Sequence, residues 1–169
     1  MQNKGLKKMT ILQIPTTKDQ IKRAQDLADE MGTLKNSITK GKGNVLGFLG
    51  EVVLADHFGW KQSNTYNYDL LMPNGKTVDV KSKQCRSIPL PHYECSIASY
   101  NIKQQCDYYA FNRIKSDLSV VYFAGMLPKG VYFDKATKRS AGEVDESNGF
   151  TFRADCYNLE IAELDTEGI

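Results

Sequence analysis

The chain has 169 residues, 41% of them hydrophobic and 25% charged, with 22 basic and 20 acidic side chains and a net charge of +2. That length suits one α/β or α+β domain with an adequate core. No apolar run reaches the roughly 18 residues of a membrane-spanning helix, and Thr10 to Thr17 is too short and mixed for a signal sequence.

Charge is uneven along the chain. Residues 1–45 hold nine Lys/Arg against four acids, whereas residues 143–169 hold one Arg against eight acids. A basic N-terminal part suits phosphate contacts, and the acidic tail is expected to face away from DNA.

Thr17 to Met31 reads as an amphipathic helix, capped by Thr17, with Ile21, Ala24, Leu27, Ala28 and Met31 as its apolar stripe and Gly32 as its stop. A basic loop follows, in which Lys35, Lys40 and Lys42 are candidate DNA contacts. Asn44 to Phe58 reads as a second helix, with Asn44 as N-cap and Gly59 as C′ residue. It is apolar over much of its circumference apart from Glu51. The neighbours of Glu51 at i±3 and i±4 are Gly47, Phe48, Leu54 and Ala55, none of which is a base. A carboxylate on such a surface is costly without a partner or a metal.

Tyr68 to Lys81 reads as a β-hairpin. Met72-Pro73-Asn74-Gly75 has Pro and Gly where a type I turn with a bulge wants them. Met72 then pairs with Lys76, Leu70 with Val78, Asp69 with Asp79 and Tyr68 with Val80. Tyr68, Leu70, Met72, Val78 and Val80 make an apolar face. Asp69, Asp79 and Lys81 share the other, with the two carboxylates roughly 5 Å apart at Cβ. Like charges across a ladder repel, and a divalent cation held by oxygen ligands removes that repulsion. Lys83 shares the Lys81 face and is a candidate contact to a phosphate backbone.

Further on, Pro89 and Pro91 break the chain. His92 to Ser99 reads as a strand, Asn101 to Cys106 as a short helical turn, and Asp107 to Ile114 and Leu118 to Ala124 as two strands. Gln104 lies on that turn, and no catalytic role is assigned to it. Residues 128–149 read as a surface excursion, and Phe150 to Leu164 as a final strand and helical piece. Cys85, Cys95, Cys106 and Cys156 have no metal-binding spacing and read as free, mostly buried thiols. No G-x-S-x-G elbow, P-loop or dinucleotide fingerprint is present.

Gly50-Glu51 on a helix, then Asp69, then Asp79-Val80-Lys81, resembles the PD-(D/E)xK nuclease superfamily, which includes restriction endonucleases, Holliday-junction resolvases and phage recombination nucleases. The likeness covers about residues 42–125 and is strongest to small resolvase-like members. Tyr68 stands where the motif has Pro, and Asp79 where Glu is more frequent. The resemblance implies a restriction-endonuclease-like α/β (α+β) fold with a central mixed sheet flanked by helices. One nuclease domain would fill 1–169, with a basic helical part (1–45), the core, and an acidic addition (126–169).

The resemblance further implies a Mg²⁺-dependent DNA endonuclease, with Mn²⁺ as a substitute ion. Asp69, Asp79 and the Val80 carbonyl would bind the ion. Glu51 would complete its shell, directly or through water, or help to hold a second ion. Lys81 would orient the attacking water and offset charge on the phosphorane. The alternative is a catalytically inactive DNA-binding or scaffold protein on the same fold. Cutting two strands with one site per chain predicts a homodimer. The expected location is the cytoplasm, that of the host if the chain is phage-encoded, with no membrane partner.

Overall fold

The computed structural model describes residues 11–35 and 42–166, with side chains described for 11–31 and 45–166. The fold is mixed α and β. A six-stranded sheet is built from β1 (Leu12–Pro15), β2 (Lys61–Gln62), β3 (Leu70–Leu71), β4 (Thr77–Cys85), β6 (Tyr108–Lys115) and β7 (Val120–Pro128). Its spatial order is β1-β7-β6-β4-β3-β2, with β4 and β6 parallel and every other neighbouring pair antiparallel.

Two helices cover one face: α1 (Lys18–Lys35) and α2 (Lys42–Phe58). A reciprocal capping box starts α1. The Gln20 N–H donates to Thr17 Oγ1 at 3.1 Å, and the Thr17 N–H donates to Gln20 Oε1 at 3.0 Å. Gly32 does not stop this helix, which runs on to Lys35; propensity costs Gly only about 1 kcal/mol in a helix. Gly59 ends α2 at φ +72° as a left-handed C′ residue. Leu49, Val53 and Leu54 of α2 are fully buried with Ala24 and Ala28 of α1, against Leu70, Val78, Ala110, Ile114, Val121 and Phe123. Alternation along β4 and β6 sorts these side chains to the helical face.

The opposite face carries Tyr109, Phe111, Ala124 and Leu127. A second sheet, β5 (Glu94–Ala98), β11 (Cys156–Glu160) and β8 (Thr137–Arg139) in the order β5-β11-β8, covers it together with α3 (Lys129–Lys135). Residues 128–149 are therefore more than a surface excursion. Tyr132 of α3 is fully buried, and its hydroxyl reaches the carbonyls of Tyr157 at 2.7 Å and Cys95 at 3.0 Å. A small hairpin, β9 (Val144–Asp145) and β10 (Phe150–Thr151), stands on this side. On the two long strands Tyr109, Phe111, Tyr122 and Phe123 are buried in sheet packing, so their rings are not base-stacking surfaces. Among the described residues, no helix is long and apolar enough to cross a membrane.

Candidate active site

Four pieces of chain converge at the edge where β3 leaves β4. The first is α2, and a glycine sets its height above the sheet. A Cβ on Gly50 would lie 2.2 Å from Ser82 Oγ and 2.9 Å from Asn112 Nδ2. Ser82 and Asn112 are register partners on β4 and β6. A side chain at position 50 would lift the helix, and with it the carboxyl of Glu51.

The second piece is the hairpin. Its turn closes as the sequence implies: Met72 N–H donates to the Lys76 carbonyl at 2.8 Å, and Gly75 N–H to the Met72 carbonyl at 3.0 Å, with Gly75 at φ +83°. Leu70 pairs with Val78 and Leu71 with Thr77. The expected continuation, Asp69 opposite Asp79 and Tyr68 opposite Val80, does not form. The β3 ladder stops at Leu70. Asp69 instead donates its N–H to the Val78 carbonyl at 3.0 Å and accepts the Val80 N–H on Oδ2 at 2.8 Å. A side-chain oxygen thus takes the place of the next ladder bond. The chain turns away there, so Tyr68 packs in the second core cluster rather than beside Leu70.

Asp79 and Lys81 are the third piece. Asp79 is 4% exposed, and Lys81 Nζ lies 2.7 Å from its Oδ2. The approach is off the hydrogen-bonding direction, so that oxygen has an ion pair but no hydrogen bond. Gln104, the fourth piece, follows the 3₁₀ turn Ser99–Lys103. Its buried amide joins the parts: Nε2 donates to the Tyr66 carbonyl at 3.0 Å and to Asp79 Oδ1 at 3.4 Å, and Oε1 accepts from Lys81 Nζ at 3.4 Å. In the sequence Gln104 is marked only by its place on a short turn. Its partners lie 23 to 38 positions away, and nothing local marks them.

Glu51 is 8% exposed, and its Oε2 has no hydrogen-bond partner. Burial, then the charge of Asp69 and a hydrogen bond shared with it, then the charge of Asp79, push its pKa up to about 9. Asp69 is pushed up to about 7, first by burial and then by Asp79; the Val80 N–H and the Glu51 carboxyl oppose the rise. Glu51 on the helix thus feels the charges of both hairpin carboxylates, Asp69 and Asp79. Among the described residues, no three Asp, Glu, His or Cys side chains are placed so that together they could hold a metal ion. A hard cation that keeps several waters does not require three such groups.

Val80 takes part here through its N–H. Lys83 lies two residues beyond Lys81 on β4, an exposed residue on the same face. Lys40 and the side chains of Lys35 and Lys42 lie outside the described residues. The four cysteines are free, with Cys95, Cys106 and Cys156 buried and Cys85 half-buried. Compared with protein-family models and with curated proteins, the chain matches none.

Proposed function

We propose that the chain is a metal-dependent deoxyribonuclease of the PD-(D/E)xK kind, with Glu51, Asp69, Asp79 and Lys81 as its site. The observation that carries this reading is the buried Asp79 in an ion pair with Lys81, with the Asp69 carboxylate fixed on the adjacent Val80 N–H. Burial and neighbouring carboxylates raise the proton affinity of Glu51 and Asp69, and one buried oxygen of Glu51 lacks a hydrogen-bond partner. That donor set, all hard oxygen and short of positive charge, fits Mg²⁺ or Mn²⁺.

Asp69 and Asp79 would hold the ion, and Glu51 would complete its shell through water. Bound there, it would supply Lewis-acid polarisation of a phosphate and a water of lowered pKa. The protein groups do the rest. Asp69 is held by the Val80 N–H, so its free oxygen has a fixed direction. Lys81 is anchored between Asp79 and Gln104, from which its ammonium offsets negative charge growing on the phosphoryl oxygens. Gln104 keeps Lys81 and Asp79 in register with the loop through Tyr66. Burial of the cluster limits water and strengthens each of these interactions.

The test is a panel of plasmid, linear duplex, single-stranded and four-way-junction DNA, incubated with Mg²⁺ or Mn²⁺. Wild-type protein should cleave at least one substrate, and Asp79→Ala and Lys81→Ala should not. Binding without cleavage under every metal would instead identify a DNA-binding protein on this fold.

A further inference from the structure

A second feature of the active-site face is a like-charged pair. Lys83 on β4 and Arg113 on β6 are direct register partners, and they share the face of Asp79 and Lys81. Arg113 is 8% exposed, with Nη2 donating to the Glu94 carbonyl at 2.7 Å. Among the described residues, no carboxylate forms an ion pair with Arg113 or Lys83. Two cations opposite each other destabilise a sheet, and a buried cation without a counter-charge is costlier still. Partial burial and the neighbouring guanidinium hold the Lys83 ammonium below its ordinary pKa.

This pair opens into a cavity of about 980 Å³ between β4, the second sheet and the β9–β10 hairpin. Phe150, 51% exposed, the exposed Arg153 and Tyr93 also line it. Three carboxylate residues, Glu94, Asp145 and Glu160, also line the cavity. Glu94 meets Arg113 through its backbone carbonyl, Glu160 lies across from Glu94 on β11, and Asp145 accepts from its own turn at Ser147. Residues 143–169, acidic overall and expected to face away from DNA, thus give the cavity their one base, Arg153, and an exposed ring, Phe150, and Arg139 lines it as well.

We infer that this groove is the path of a single nucleic-acid strand leading to the carboxylate site, with one backbone phosphate seated between Lys83 and Arg113. The inference rests on the phosphodiesterase reading for the identity of the ligand. The step from Lys81 to Lys83 is about 6.6 Å along the strand, so a chain of phosphates touching one ammonium can continue to the next. Cations that track a backbone, combined with exposed rings that stack on bases of any sequence, are the features of single-strand recognition.

The test is fluorescence polarisation with labelled dT20 and a labelled 20-base-pair duplex, in EDTA so that nothing is cut. Wild type should prefer the single strand. Lys83→Glu should weaken dT20 binding roughly tenfold and lower the salt slope by about one. Phe150→Ala, at an exposed ring, should weaken it about fivefold or more. Lys22→Glu, on α1 across the sheet, should change it less than about twofold. Equal binding by Lys83→Glu, Phe150→Ala and wild type would overturn the groove, as would tighter duplex binding. Competition by poly-glutamate as effective as by unlabelled dT20 would overturn it too, pointing to an acidic protein partner. Cleavage of the same strand with Mg²⁺ separates the two readings. Binding that depends on Lys83 without cleavage removes the nuclease and keeps the groove; cleavage indifferent to Lys83 and Phe150 does the reverse.

Discussion

Lys81 Nζ lies 2.7 Å from Asp79 Oδ2, and both side chains reach the same amide, that of Gln104. The lysine is thus held by two partners before any substrate arrives. Lys81→Met should reduce DNA cleavage by roughly 10²- to 10³-fold, the loss typical of one group that stabilises transition-state charge. It should also leave Asp79 buried and unpaired. In EDTA the variant should be less stable by about 1–3 kcal/mol, and saturating Mg²⁺ should recover most of that. Urea unfolding with and without the ion checks both halves.

Gln104 touches two site residues and the Tyr66 loop, but it is not itself charged. Gln104→Leu should lower activity or metal affinity by roughly 10- to 100-fold, as loss of a supporting hydrogen bond does in metal sites. The half-saturating Mg²⁺ concentration should rise, while Gln104→Glu should bind the ion at least as well and position Lys81 differently. Unchanged kinetics in Gln104→Leu would show the amide to be structural.

Metal-free stability should fall as pH rises. Glu51 titrates near 9 in the folded chain against an ordinary 4.5, and Asp69 near 7 against 3.8. Between those limits the folded state binds more protons than the unfolded one, so the contribution is full below about pH 4 and is lost upward through pH 9. Urea unfolding in EDTA from pH 5 to 9 should show the decline, and Glu51→Gln should flatten its upper part. Mg²⁺ binding at pH 7 should release protons, measurable in buffers of different ionisation enthalpy. A flat profile would contradict the crowded-carboxylate geometry.

Gly50→Ala tests the seating of α2. The added methyl would fall 2.2 Å from Ser82 Oγ. Ser82 can rotate, but Asn112 Nδ2 lies behind it at 2.9 Å. A loss of about 1–3 kcal/mol is expected, read as a lower Tm. Cleavage should fall further than the stability loss explains, because Glu51 moves with the helix. Gly47→Ala, where a Cβ meets nothing within 4 Å, is the matched control.

The parts of this site that were legible in the sequence are the local ones. Pro73-Asn74-Gly75 carries its own turn chemistry, and Leu70 and Val78 fix the register by burial, so the face shared by Asp79 and Lys81 followed from spacing. Thr17 and Gly59 marked their helix ends for the same reason. What failed depended on contacts distant in sequence. Asp69 abandons the ladder because its carboxylate caps Val80, and no residue pattern distinguishes that from one more strand pair. β1 is four residues at a sheet edge, with a single buried side chain, Ile14. α3 carries one buried residue, Tyr132, and shows no stripe to read. The second sheet pairs β5 with β11 some 60 positions later, so the groove they border is invisible along the chain.

DNA cleavage by this chain should require Asp79. Single-turnover cleavage of the best substrate in the panel should be measured with Mg²⁺ for wild type and for Asp79→Asn, which keeps the shape and removes the charge. Wild type should cut, EDTA should stop it, and Asp79→Asn should be slower by about 10³-fold or more, since a metal ligand and the anchor of Lys81 are lost together. Cutting by Asp79→Asn at the wild-type rate, or intact DNA with wild type in every metal, would contradict the account.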